Sequence, residues 1–269
     1  MINNTLTIAG MDPSGGAGIL ADVKAMSALG TYACAVVAAL TAQNTQGVTG
    51  VQAITPEFVA LQLDTLFQDV RIDAVKIGML GHEKVTLAVA EKLAQFKPEY
   101  IVLDPVMVAK SGDVLLEKNA IHALKEALIP LSTMITPNLP EAGVLLDTRP
   151  AETLKEMYRI AEKLRKLMSD HDNKWVLLKG GHLPGNDTID LLYNGDKMIE
   201  LPGQRIATKN THGTGCTLSA AICALLPQRK NIPEATRQAK EYLMAAIARA
   251  DLLTVGSGHG PVQHFHAWW

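Results

Sequence analysis

The chain has 269 residues, 48% of them hydrophobic and 19% charged, with a formal net charge of −2. That supplies a core for one large α/β domain without requiring two, and a near-neutral chain with no long run of like charge does not favour nucleic acid or an anionic membrane as partner. The opening Met-Ile-Asn-Asn-Thr-Leu-Thr-Ile lacks a basic region ahead of an apolar one, and no apolar stretch nears the roughly 20 residues that span a bilayer. The three cysteines, Cys34, Cys216 and Cys223, form no CxxC pair, so a reducing cytoplasm is expected.

Leu6 to Gly10 is a short β-rich run that glycines and Pro13 break at once. From Ala17 to Leu29 apolar positions recur at helical spacing, and Gly30 supplies the stop. Tyr32 to Leu40 is continuously apolar, as a strand buried on both faces is. The alternation continues with helix Pro56 to Phe67, strand Asp73 to Ile77, helix Glu83 to Phe96 and strand Tyr100 to Leu103. Helix Lys118 to Leu128, strand Thr133 to Ile135, a polar helix Ala151 to Ser169 and strand Trp175 to Leu178 follow. Thr188 to Glu200, broken at Asn194-Gly195, reads as a hairpin, and helices around Cys216 to Leu226 and Glu234 to Leu253 close the chain. Strand alternating with helix predicts a mostly parallel sheet with helices on both faces, in a single domain over residues 1–269.

In such folds ligands sit beyond the carboxyl ends of the strands. Asp12, Gln43, Met79, Asp104, Asn138 and Lys179 each follow a strand in this reading. Any one of them can be a loop residue satisfying local backbone, but their recurrence at successive strand ends marks that end of the sheet as the site.

Residues 208 to 226 run from a polar loop through Gly213-Thr-Gly-Cys216 into small and apolar helix formers. Two glycines one residue apart let backbone N–H groups converge, and the helix behind them adds its positive end, so Gly213 and Gly215 predict an anion hole with Cys216 on its rim. A thiol at a helix start has a depressed pKa, which suits Cys216 to take a proton from an alcohol; the alternative is a shape-filling part of the hole. Asp104 and Glu141 are carboxylates at adjacent strand ends, enough for Mg²⁺ bound with waters and phosphate oxygens. Glu141 serves equally well as a first-turn residue complementing a helix dipole. Lys179, before Gly180-Gly181, suits either a phosphate or solvent.

Gly16-Ala-Gly18-Ile-Leu-Ala21 formally matches a dinucleotide fingerprint, but five residues separate Gly10 from Gly16, and the next strand ends in Gln43 and not in an acidic group for a ribose. A Gly-rich cover over a small ligand, with Asp22 one helical turn inside, is the simpler reading; a nucleotide-binding dehydrogenase is the alternative class. No Gly-Lys pair occurs, so ATP, if used, is not held by a P-loop. His264-x-His266 has no third ligand nearby for zinc, Trp268-Trp269 read as a packed tail or subunit contact, and Cys223 reads as core.

Nine stretches occur in an order that carries a resemblance: Gly10-Met-Asp-Pro-Ser-Gly-Gly-Ala-Gly18, Thr41-Ala-Gln-Asn-Thr45, Lys76-Ile-Gly-Met79, Leu103-Asp-Pro-Val-Met107, Ala109-Lys-Ser-Gly-Asp113, Thr136-Pro-Asn-Leu-Pro-Glu141, Lys179-Gly-Gly-His182, Asn210-Thr-His-Gly-Thr-Gly-Cys216 and the final Gly-Pro-Val-Gln-His. Together they resemble, over essentially the whole chain, the hydroxymethylpyrimidine/phosphomethylpyrimidine kinases of thiamine biosynthesis, a vitamin-kinase branch of the ribokinase superfamily. The resemblance implies a ribokinase-like three-layer α/β/α sandwich and two successive ATP- and Mg²⁺-dependent phosphorylations of 4-amino-5-hydroxymethyl-2-methylpyrimidine, with a homodimer expected. It implies that Asp22 and Gln43 hydrogen-bond the pyrimidine while Gly10, Met79 and Val106 line its pocket. Asp104 and Glu141 are then metal ligands, and Asn138, Lys179, Thr211 and Gly213 contact the nucleotide. Gly213, Gly215, Lys179 and Cys216 carry the transfer, with Cys216 where most sugar kinases of the superfamily have an Asp base. Met11 and Leu20 depart from commonly smaller or polar residues at the pocket mouth. Pyridoxal kinase is the alternative within the fold.

Overall fold

Four-residue strands such as Ala-Val-Lys-Ile and Trp-Val-Leu-Leu have every residue out of water, so the sheet that they build is covered on both faces. The structure is a computed structural model and describes residues 1–107, 118–169 and 173–269. The stretch Ala109 to Asp113 lies outside the described residues.

In chain order the elements are β1 (Asn4–Met11), α1 (Gly18–Ala28), β2 (Tyr32–Asn44), β3 (Gly47–Ala53), α2 (Pro56–Asp69), β4 (Ala74–Ile77), α3 (Glu83–Phe96) and β5 (Tyr100–Leu103). Then come α4 (Lys118–Ala123), running on through a π-helical turn at Leu124–Leu128, β6 (Met134–Ile135), α5 (Leu139–Leu146), α6 (Leu154–Arg165) and β7 (Trp175–Leu178). The hairpin β8 (Asp187–Tyr193) and β9 (Met198–Gln204) precedes α7 (Thr214–Leu225) and α8 (Ile232–Ala248). The strands form one nine-stranded sheet in the order β3-β2-β1-β4-β5-β6-β7-β8-β9. Its centre, β2 to β7, is parallel, while β3 at one edge and β8–β9 at the other are antiparallel.

Alternation along the central strands assigns the two cores. Val75, Ile77, Ile101, Leu103, Val176 and Leu178 face the layer of α2 to α6, whereas Ala74, Val102, Met134, Trp175 and Leu177 face α1, α7 and α8. This is the three-layer α/β/α sandwich that the motifs implied.

Two elements differ from the sequence reading. The strand from Tyr32 does not stop at Leu40 but runs to Asn44 and pairs with β3, so Gln43 lies inside β2 near its end. The glycines of Gly-Val-Thr-Gly-Val-Gln-Ala, which weaken a strand on propensity alone, are tolerated at this exposed edge. Helix α5 is the other addition, started by Pro140 in its first turn and a capping box between Asn138 and Glu141.

Candidate active site

The chain leaves β1 for β2 on one side and reaches β4 on the other, so the sheet has a switch point between β1 and β4. A cavity of about 540 Å³ opens there, beyond the carboxyl ends of the strands. All six strand-end residues line it: Asp12, Gln43, Met79, Asp104, Asn138 and Lys179. So do Gly10, Val106, Glu141, Thr211, Gly213, Gly215 and Cys216. A second cavity of about 560 Å³ adjoins it, with a polar wall that includes Asp190 and Lys240, an ion pair at 2.8 Å, and an apolar end at Leu243, Met244 and Ile247. Asn138, Lys179, Thr211, Thr214 and Gly215 line both cavities, so the two meet at the start of α7.

Gly213 caps α7 with φ of 76°, a left-handed backbone that suits glycine, and a Cβ there would strike the carbonyl oxygen of Gly16. The close approach brings the loop before α1 onto the start of α7. Thr214 and Gly215 of the first turn line both cavities, so the positive end of α7 stands at their meeting point. There, a Cβ on Gly215 would stand 3.3 Å from Lys179 Nζ and 3.6 Å from Asp104 Oδ2.

Lys179 Nζ donates to Asp104 Oδ1 at 3.1 Å, and Asp104 also accepts from Thr136 Oγ1 at 2.9 Å and Ser219 Oγ at 3.3 Å. Burial opposes the Asp104 carboxylate, but Lys179 and Lys76 outweigh it and hold its pKa below the usual range. Burial likewise opposes the Lys179 ammonium, and Asp104 and Glu141 hold it charged above an ordinary lysine. Glu141 is different. Burial, against the pull of Lys179, raises its pKa to about 7. Its Oε2 accepts the Asn138 N–H at 2.7 Å, so the first-turn reading holds, while the residue also lines the cavity.

Two expectations are corrected. Asp22 does not line the cavity. It is wholly buried behind it, bound to Lys76 Nζ at 2.7 Å and to Thr7 Oγ1 at 2.6 Å, and the lining side chain is Lys76. Burial disfavours the Lys76 ammonium, yet Asp22 above all keeps its pKa higher than an ordinary lysine's. Cys216 has no depressed pKa either: burial pushes its thiol up to about 11, and Lys76 and the Gly18 N–H do not offset it. Cys216 is half-buried on the cavity wall, and there the helix start does not offset the burial it has together with the nearby Asp22 and Asp104.

Sequence reasoning passed over two residues. Lys76 had a signal, a lysine inside a strand with no exposed residue, which demands a buried carboxylate. His212 stood in the quoted loop without a role; its Nε2 lies 2.8 Å from Asp12 Oδ2, and its ring packs on Gly16 so closely that a Cβ there would collide. Gly16 thus serves packing and not a pyrophosphate, which removes the dinucleotide fingerprint. Nor is His264 free for zinc: it is buried and bonded to Thr217 Oγ1 at 3.0 Å. Among the described residues no three His, Cys, Asp or Glu side chains gather as a metal site.

An α/β/α sandwich with two cavities meeting at a helix start, a buried lysine and a carboxylate defines a kinase of the ribokinase-like class. The family model for phosphomethylpyrimidine kinase matches residues 12–263. The hydroxymethylpyrimidine/phosphomethylpyrimidine kinase of Escherichia coli (strain K12) is 53% identical over 266 residues, 99% of this chain and 98% of that protein. Its namesake in Bacillus subtilis (strain 168) is 41% identical, over 98% of this chain and 95% of that one. Among solved structures, the ADP complex of Bacillus subtilis pyridoxal kinase superposes with a TM-score of 0.89 at 32% identity, covering 99% of both chains. The phosphomethylpyrimidine kinase of Clostridium difficile 630 gives 0.80 at 40% identity, over 91% of this chain and 99% of that one. The chain belongs to the phosphomethylpyrimidine kinase family.

Proposed function

We propose that the chain transfers the γ-phosphoryl group of ATP to 4-amino-5-hydroxymethyl-2-methylpyrimidine and then to the monophosphate so formed. It is a phosphotransferase of thiamine biosynthesis. The observation that carries the two-substrate reading is the meeting of the two cavities at Lys179 and the start of α7. The cavity at Gln43 takes the acceptor and the cavity at Lys240 the nucleotide, its base against Leu243, Met244 and Ile247. Phosphoryl transfer is largely a matter of placing reactants and neutralising charge. Lys179 and the α7 N–H groups supply positive charge where the phosphoryl group must pass. The test is product analysis by mass spectrometry with ATP, Mg²⁺ and either the pyrimidine or pyridoxal; phosphorylation of pyridoxal alone overturns the reading.

Asp104 and Glu141 fit Mg²⁺, a hard cation that takes one or two carboxylates with phosphate oxygens and water, and it would neutralise charge on the phosphates. With its pKa near 7, Glu141 holds a proton through much of the acidic range, and a cation must displace it. The Mg²⁺ concentration for half-maximal rate should therefore fall as pH rises from 6 to 8. Glu141→Gln should need more Mg²⁺ and lose that pH dependence; superimposable Mg²⁺ titrations for the two proteins would leave Glu141 as a helix cap only.

Cys216, a neutral thiol near pH 7, shapes the rim of the hole in this reading. Cys216→Ala is expected to lower kcat/KM for the alcohol and for the monophosphate by similar factors. A loss of about 10²-fold confined to the alcohol, the scale of a general base, would restore the proton-accepting role.

The reading extends to one kinase domain in a reducing cytoplasm, on the three free cysteines. It also includes a homodimer, supported by Leu40 and Val51 exposed on the β2–β3 edge. Among the described residues no helix is long and apolar enough to cross a membrane.

A further inference from the structure

The two ends of a side-chain amide are told apart by their hydrogen-bond partners. Gln43 has two: with Oε1 set 3.1 Å from Thr41 Oγ1 its Nε2 falls 3.5 Å from His212 Nε2, and the partners decide whether that order of the two ends or its reverse is correct. His212 Nε2 also meets Asp12 Oδ2 at 2.8 Å, and a carboxylate only accepts, so this nitrogen carries the proton. Asp12 is held as an acceptor at both oxygens: Oδ1 takes the Ser14 N–H and hydroxyl at 2.8 and 2.7 Å, and Oδ2 takes the Ala17 N–H at 3.0 Å beside His212. An amide nitrogen on the His212 side would face another N–H. Thr41 decides the other end. Its single hydroxyl proton reaches the Met11 carbonyl at 3.0 Å, which leaves its oxygen to accept. One arrangement gives every contact one donor and one acceptor: Asp12 accepts from His212, the His212 N–H leans toward the Gln43 oxygen, and the Gln43 NH₂ donates to Thr41.

We propose that His212 is a positioning residue for the acceptor, fixing the Gln43 amide with its oxygen on the anion-hole side and its NH₂ on the Thr41 side. The inference rests on the aminopyrimidine reading above. Gln43 has one further lone pair and one further N–H to offer the cavity, and their order is set. An amine next to a ring nitrogen then docks one way round, with the amine toward His212 and the ring nitrogen toward Thr41. The hydroxymethyl carbon is bonded beside the amine-bearing carbon, on the side away from that nitrogen. The docking direction therefore delivers the hydroxyl toward Gly213, the residue after His212. His212 is itself anchored, since its backbone N–H donates to the Gly260 carbonyl at 3.0 Å.

The test is a selectivity ratio, which a general loss of stability leaves unmoved. The 4-oxo counterpart of the pyrimidine exchanges donor and acceptor at both contacts. Wild type should use the 4-amino acceptor far better than the 4-oxo one, by kcat/KM. In His212→Ala the amide is free to turn over, and the amino-to-oxo ratio should fall about tenfold or more. Thr41→Val, at the other end of the chain of bonds, should move it the same way and serves if His212→Ala does not fold. An unchanged ratio in the variants overturns the proposal, as does a wild-type ratio near one with the pyrimidine still turned over. Wild-type turnover of pyridoxal but of neither pyrimidine overturns the substrate reading and the inference with it.

Discussion

Lys179→Met should lower kcat by about 10³-fold with either acceptor while leaving the KM for ATP within a few-fold of wild type. The ammonium lies where the two cavities join, 3.1 Å from Asp104 and beside the missing side chain of Gly215. In the proposed reaction charge moves through that point during transfer, so the lysine should matter more in the transition state than in either bound substrate. Removing one preorganised donor of this kind typically costs about 10²–10³ in rate. Here the loss should reach the upper end, because the same change leaves Asp104 without the first of the two lysines that hold it ionised. Lys179→Arg should recover little: a planar fork spreads its charge and cannot hold it at the single point, 3.1 Å from Asp104 Oδ1, that Nζ occupies. Initial-rate kinetics over a grid of both substrates decides the matter, and a loss confined to the KM for ATP would make Lys179 a ground-state nucleotide contact only.

The second large effect is on stability. Lys76→Met should destabilise the fold by about 3–5 kcal/mol, the usual consequence of leaving one member of a buried ion pair alone. Lys76 and Asp22 are both wholly buried, and Asp22 Oδ1 has no hydrogen-bond partner even with the lysine present. Without Lys76 the carboxyl keeps only Thr7. Combining Lys76→Met with Asp22→Leu should restore most of the loss, since replacing a buried pair by apolar groups is often close to neutral. Urea denaturation of the two single variants and the double variant measures this coupling directly; additive losses would show that the pair does not act as a unit.

The strand-end positions of the site were legible in the chain because a parallel sheet forces them to one end. Once the strands at Leu6, Asp73, Tyr100, Thr133 and Trp175 are recognised, the residues after them must converge, and Asp12, Met79, Asp104, Asn138 and Lys179 do. What sequence could not supply was depth. Asp22 lies one helical turn inside α1, and nothing in the spacing says whether it faces the ligand or the core; Lys76 settles that by taking it. Cys216 was misjudged for a related reason. A helix start lowers a thiol's pKa, but burial and neighbouring carboxylates raise it, and their sizes depend on atoms from distant segments. The edge strand β3 was hidden by its glycines, and His212 by the lack of any local signal: its partner is 200 residues away.

That separation bears on how activity is acquired. Asp12 and His212 touch only after the chain has laid down the strands on both sides of β1 and returned to the loop before α7. The entropy of closing so long a loop is borne before the contact gives anything back, which makes such junctions late events in folding. Phosphorylating activity should therefore return during refolding no earlier than full secondary structure, and the enzyme's own turnover becomes a clock for the last stage of its assembly.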